Sequence, residues 1–81
     1  MRQQQRRPTI KDVLESLIDE LVSKGILWQE AVSEFEKLFI LRVLRESRGN
    51  VGRAAEKMGV HRNTLSKKIR EYEIDRKAAG E

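Results

Sequence analysis

Apolar residues in the first third of the chain fall on one helical stripe. Ile10, Val13, Leu14, Leu17, Ile18, Leu21 and Val22 recur at alternating steps of three and one, the spacing of a single apolar helix face. Thr9 stands before the stripe as an N-cap, Glu20 and Lys24 form an i, i+4 pair near its end, and Gly25 supplies a stop. A second helix is expected from about Leu27 or Trp28 to about Ser47, with no evident capping residue at its start. From Gly49 to Ile69 the pattern changes to two short helices joined by a tight turn. Ala54, Ala55 and Met58 lie on the first, Val60, Leu65 and Ile69 supply the apolar side of the turn and the second, and Gly59 suits a reversal at positive φ. Small residues let two such axes cross closely, which is the arrangement of a helix-turn-helix. The expected fold class is therefore all-α with four helices.

The second helix carries more apolar residues than one packing surface covers. Trp28, Val32, Phe35 and Phe39 give one face, but Leu38, Phe39, Ile40 and Leu41 are consecutive and sweep about 300° of the helix circumference. Leaving a large side chain in water forfeits about 1.5 to 3 kcal/mol of burial. The economical expectation is a homodimer in which residues 9–47 of each chain supply two helices to a four-helix core. Leu17, Leu21, Val32, Phe35, Leu38, Phe39, Ile40 and Leu41 are then its interface. A tightly wrapped monomer is the alternative.

Length and composition narrow the function classes. The 81 residues make one domain at most and contain no cysteine and a single histidine, so neither disulfides nor a zinc site reinforces it, and oligomerisation remains. No cofactor or metal is expected. There is no apolar run of membrane-spanning length and no signal-peptide core after the polar start, so no membrane partner is expected and the location expected is the cytoplasm, on the nucleoid. Residues 1–8 read as a basic, solvated tail and 75–81 as a second tail. No Gly-rich phosphate loop, metal set or acid/base pair is present in a recognisable arrangement, so an enzyme with a small-molecule substrate is not expected.

Charge is divided along the chain. Arg48 to Arg70 holds seven basic residues against the single acid Glu56, a net of +6, whereas Lys11 to Ile40 holds three basic and seven acidic residues, a net of −4. Clustered Lys and Arg release the counterions condensed on duplex DNA, which supplies most non-specific affinity. A basic run alone is often a solvated face. Here it coincides with the helix-turn-helix pattern over 48–74, and duplex DNA is the expected partner.

The stretch Gly-Asn, three residues, Ala-Ala, three residues, Gly-Val, one residue, Arg, one residue, Thr-Leu, two residues, Lys, from Gly49 to Ile69, closely resembles the Fis family of bacterial DNA-binding proteins. It is also similar to the C-terminal DNA-binding domain of the nitrogen-regulator class of sigma-54 activators. With the preceding helices the resemblance covers about Thr9 to Ile74. It implies an all-α homodimer, two helices for the dimer core and two for DNA, that regulates transcription or chromosome architecture and bends its site.

Carried over by position, Arg62 resembles the recognition-helix arginine that reads guanine, a pairing whose two hydrogen bonds give about 1 to 3 kcal/mol of discrimination. Thr64 resembles a phosphate-contacting threonine, and Lys67 and Lys68 resemble basic contacts. Asn50 is a helix cap or a DNA contact, His61 a base or phosphate contact or simply an exposed turn residue, and Arg53, Asn63 and Ser66 complete the expected DNA-binding set. Three departures stand out: Gly52 replaces a polar residue, Ser66 a residue that is basic in some relatives, and Glu73 a glycine, so the last helix is expected to run on into the tail. With about eight residues before its first helix, the chain is not expected to share the recombinase-engaging arm of the family. Two other functions stay open, a detached end of a sigma-54 activator and a helical module that binds protein rather than DNA.

Overall fold

The computed structural model describes residues 7–76, and four α-helices account for the regular structure among them: α1 (Ile10–Ser23), α2 (Trp28–Glu46), α3 (Val51–Met58) and α4 (Arg62–Glu71). The chain forms two compact units, Met1–Ala31 and Val32–Glu81. The boundary falls inside α2 rather than at residue 47, because the C-terminal half of α2 supplies Ile40, Val43 and Leu44 to the same core as α3 and α4. The expected N-terminal tail lies mostly outside the described residues, as does the last part of the C-terminal one.

In the first unit, α1 opens on a reciprocal capping box. The Thr9 hydroxyl oxygen accepts the Asp12 N–H at 3.1 Å while an Asp12 carboxylate oxygen accepts the Thr9 N–H at 3.0 Å. The helix closes on Gly25 at φ 73°, with Ile26 N–H reaching the Leu21 carbonyl at 3.0 Å, and the Lys24 ammonium meets Glu20 at 3.2 Å. No residue of α1 is buried. Its stripe stays largely open to solvent, from Leu14 at 43% exposed to Ile10 at 78%, with Leu21 alone half-buried. The start of α2 is held by a contact the sequence did not reveal: the Glu30 carboxylate accepts the Leu27 N–H at 3.0 Å, so an acid three residues into the helix does the work of a capping side chain.

The second unit is the packed one. Ile40, Val43 and Leu44 of α2, Val51, Ala54 and Ala55 of α3, and Leu65 and Ile69 of α4 form a single apolar core, with Leu41, Met58, Tyr72 and Ile74 packed against it. Ala54 and Ala55 are 0% and 2% exposed, and their small side chains allow α3 to approach its neighbours closely. Asn50 caps α3 by accepting the Arg53 N–H at 3.1 Å. Gly59 makes the turn to α4 at φ 73°, and Val60 N–H returns to the Ala55 carbonyl at 3.1 Å.

Two expectations are corrected in this unit. Ile40 is not a dimer-interface residue: it is 1% exposed within its own chain, because it lies on the same arc of α2 as Val43 and Leu44, which α3 and α4 cover. The apolar run 38–41 is thus divided, with Ile40 buried, Leu41 half-buried, and Leu38 and Phe39 left 56% and 44% exposed. The last helix also does not run on into the tail. Glu73 takes the left-handed φ of 52° that a glycine would adopt, and Ile74 N–H closes on the Ile69 carbonyl at 3.0 Å, because docking Ile74 on the core requires the chain to reverse there.

Candidate nucleic-acid interface

Three sides of α4 do different things. At about 100° per residue, Leu65 and Ile69 share one side, and both are buried in the core. Arg62, Asn63, Ser66, Lys67 and Arg70 share an arc of about 140° on another side; Ser66 is half-buried and the other four are exposed. Among the described residues Arg62, Lys67 and Arg70 form no salt bridge. The arc therefore presents three open cations and two small polar side chains with no acid among them. Arg70 was visible in the sequence only as part of the basic run; the helical register makes it a member of this arc.

The N-terminus of α4 is capped by the only histidine. His61 Nδ1 accepts the Asn63 N–H at 3.0 Å, so His61 has a structural role in starting the helix and its Nε2 is the ring's donor. Asn50 does the same for α3. Arg53 follows on the first turn of α3 and is exposed. A Cβ at Gly52 would lie 3.4 Å from the Asn50 side-chain oxygen, an ordinary contact, so the backbone here accepts the polar side chains that resembling proteins carry.

Thr64 and Lys68 lie on the third side of α4, about 200–240° round from Arg62. Both line a groove against α2 together with Phe35, Phe39, Ile40, Met58, Val60 and Leu65. Lys68 is not an open cation. Its ammonium donates to Glu36 of α2 at 3.1 Å, and the Tyr72 hydroxyl donates to the same carboxylate oxygen at 2.5 Å. Ser33, one turn before Glu36, hydrogen-bonds Tyr72 in turn. The Tyr72 and Lys68 hydrogen bonds hold the Glu36 carboxyl below its ordinary range, and the same carboxylate pushes up both Lys68 and Tyr72. Neither Glu36 nor Tyr72 had a role in the sequence reading. The signal was a pair of spacings, Ser33 with Glu36 and Lys68 with Tyr72, which has meaning only once α2 and α4 are known to be neighbours.

A second α2 carboxylate holds another member of the basic run. Glu46 accepts from Lys57 of α3 at 3.3 Å and from Arg42 at 2.7 Å, and these hydrogen bonds, Arg42's first, lower its pKa. Of the seven basic residues between Arg48 and Arg70, Lys57 and Lys68 are thus held by acids of α2. No group of three or more metal-ligating side chains occurs among the described residues, and no helix among them is long and apolar enough to cross a membrane.

The family described as Bacterial regulatory protein, Fis family, matches residues 31–72, most of the second unit. The DNA-binding protein Fis of Proteus mirabilis (strain HI4320) is 32% identical over 68 residues, 82% of this chain and 69% of that protein; Fis of Escherichia coli O1:K1 / APEC matches with the same figures. The DNA-binding transcriptional regulator NtrC of Azospirillum brasilense is 38% identical over 65 residues, which are 80% of this chain and 13% of that regulator. No solved structure gives a significant match.

Proposed function

Because this chain belongs to the Fis family of bacterial regulatory proteins, we propose that it is a homodimeric DNA-binding regulator whose α4 enters the major groove and whose paired α4 helices bend the duplex. It is a binding protein of the cytoplasm and nucleoid, not an enzyme. The observation that carries this reading is the outer arc of α4, where Arg62, Lys67 and Arg70 stand open with no acid among them. Arg62 reads guanine; Lys67 and Arg70 meet phosphate; Asn63 and Ser66 supply short polar contacts, and Arg53 and the caps Asn50 and His61 are further contacts. Thr64 approaches phosphate from the first turn of α4, where aligned N–H groups favour an anion.

Dimerisation uses the apolar side chains that one chain leaves in water. Leu17, Phe35, Leu38 and Phe39 are 44–56% exposed, Leu21, Val32 and Leu41 are half-buried, and the Phe35 and Phe39 rings lie 5.6 Å apart in a tilted pair. A second copy is the occupant that brings each unit's apolar face against its own counterpart. Two recognition helices related by a two-fold axis and set closer than one helical turn of DNA require the duplex to bend.

The test is fluorescence anisotropy with a labelled duplex of about 25 base pairs at several salt concentrations, with mass determination by light scattering. Saturation at two chains per duplex, with affinity falling steeply as salt rises, is expected. A monomer without DNA affinity at low salt would overturn the proposal in favour of a protein-binding module. The NtrC match supports one variation, in which the same module serves as the DNA-binding end of a larger activator.

A further inference from the structure

The basic residues of α4 are in two electrostatic states. Lys67 is exposed and forms no salt bridge among the described residues, whereas the adjacent Lys68 has 35% of its side chain exposed and is bonded to a Glu36 whose side chain is 31% exposed. The two lysines are about 100° apart on the helix, so Lys67 falls on the outer arc and Lys68 on the side turned to α2. The acceptor is shared: Tyr72, one turn beyond Lys68, reaches the same Glu36 oxygen. Lys68 and Tyr72 are successive turns of one ridge, and a single carboxylate on α2 bonds both.

We propose that Glu36 is a positioning residue for the recognition helix: by binding Lys68 and Tyr72 together it sets the rotation of α4 on α2 and withholds Lys68 from the DNA phosphates. The inference rests on the DNA-binding reading above and deepens it. A helix that turned about its axis would exchange Lys68 for Lys67 at the DNA surface. The apolar contacts of Leu65 and Ile69 resist that rotation without directional preference, whereas two hydrogen bonds to one oxygen have a geometry to satisfy. A free Lys68 would also add a sequence-independent cation and raise non-specific binding relative to specific binding. Glu36 thereby acts on specificity without touching DNA.

Two measurements test this. The first needs no DNA. Tyr72 is the only tyrosine of the chain, so its ionisation is read directly from ultraviolet absorbance at 295 nm. In the native protein it is expected to ionise above the ordinary range for a phenol; in E36Q, where the neighbouring carboxylate charge is gone, the midpoint is expected to fall back toward about 10. An unchanged midpoint would overturn the shared-acceptor geometry.

The second measurement is the salt dependence of binding to a labelled 25-base-pair duplex. K67M is expected to make the logarithmic slope shallower by about 0.9 per chain, K68M to leave it unchanged, and E36Q to make it steeper by as much as about 0.9 per chain. The double variant E36Q/K68M is expected to return to the native slope. Equal losses from K67M and K68M would overturn the proposal, and that comparison stands even if E36Q fails to fold. Native protein that shows the raised Tyr72 ionisation but no salt-dependent DNA binding would instead overturn the DNA-binding reading, and with it the role of Glu36 in presenting α4.

Discussion

His61 Nδ1 accepts the Asn63 N–H at 3.0 Å, so the residue that precedes α4 also starts it. Replacing the cap with His61→Ala is expected to cost about 1 kcal/mol of stability, and His61→Asn, which retains a short acceptor, only a few tenths. Urea unfolding followed by circular dichroism gives both values. Full stability in His61→Ala combined with weaker DNA binding would assign the imidazole to DNA and not to the helix.

Arg62 and Lys67 lie on the same arc of α4, and the proposed function gives them different roles. Arg62→Ala is expected to relax preference at one base of each half-site, by about 1 to 3 kcal/mol at that base. Lys67→Ala is expected to weaken binding to all sequences alike. Competition binding with a panel of single-base variants separates the two. A uniform loss from both substitutions would refute the division of roles.

Glu73 occupies left-handed backbone at φ 52°, a conformation that costs an L-residue about 1 to 2 kcal/mol. Glu73→Gly is therefore expected to raise stability by about 1 kcal/mol, as a higher melting temperature in a thermal scan. Gly59→Ala is expected to do the reverse by a similar amount. A Cβ at Gly59 meets nothing within 4 Å, so any loss there comes from φ alone.

The Ser47 side chain is almost wholly buried, at 5% exposed, and among the described residues its hydroxyl oxygen has no hydrogen-bond partner. Since a buried polar group without a partner costs about 1 to 3 kcal/mol, Ser47→Ala is expected to hold or increase stability by up to about 1 kcal/mol. Chemical denaturation is the check; a loss above that size would show that the hydroxyl is bonded in solution.

Stability should also fall with acid through Glu36. Its carboxyl is held below the ordinary value of 4.5 by Tyr72 and then Lys68, so the folded state binds its proton less readily than the unfolded chain. The stabilisation is fully present above that value and disappears as the pH drops through the lowered one. Groups facing Glu36 are Lys68 and Tyr72 of the α4 segment, with Ser33 on α2 completing the chain of hydrogen bonds. Carboxylate titration by nuclear magnetic resonance is expected to find Glu36 below the ordinary value for a glutamate, and K68M is expected to bring it back toward that value.

Much of this architecture follows from local chemistry and was legible in the residues themselves. Thr9 caps α1, Asn50 caps α3 and Gly59 reverses the chain, each because one side chain, or its absence, satisfies or permits a backbone geometry within a few residues. The 3.6-residue period likewise marked the apolar faces of α1, α3 and α4. Periodicity identifies which residues are apolar together but not what covers them, and so Ile40 read as available to a second chain. Only the packing of α2 against α3 and α4 decided that Ile40 is interior while Phe39 beside it is not. The same holds for charge. A count of seven basic residues between Arg48 and Arg70 is a property of sequence, but the removal of Lys57 and Lys68 by Glu46 and Glu36 depends on side chains 11 and 32 positions apart meeting across helices. Coulombic pairing falls off over a few ångströms, and distances between helices are set by the tertiary fold.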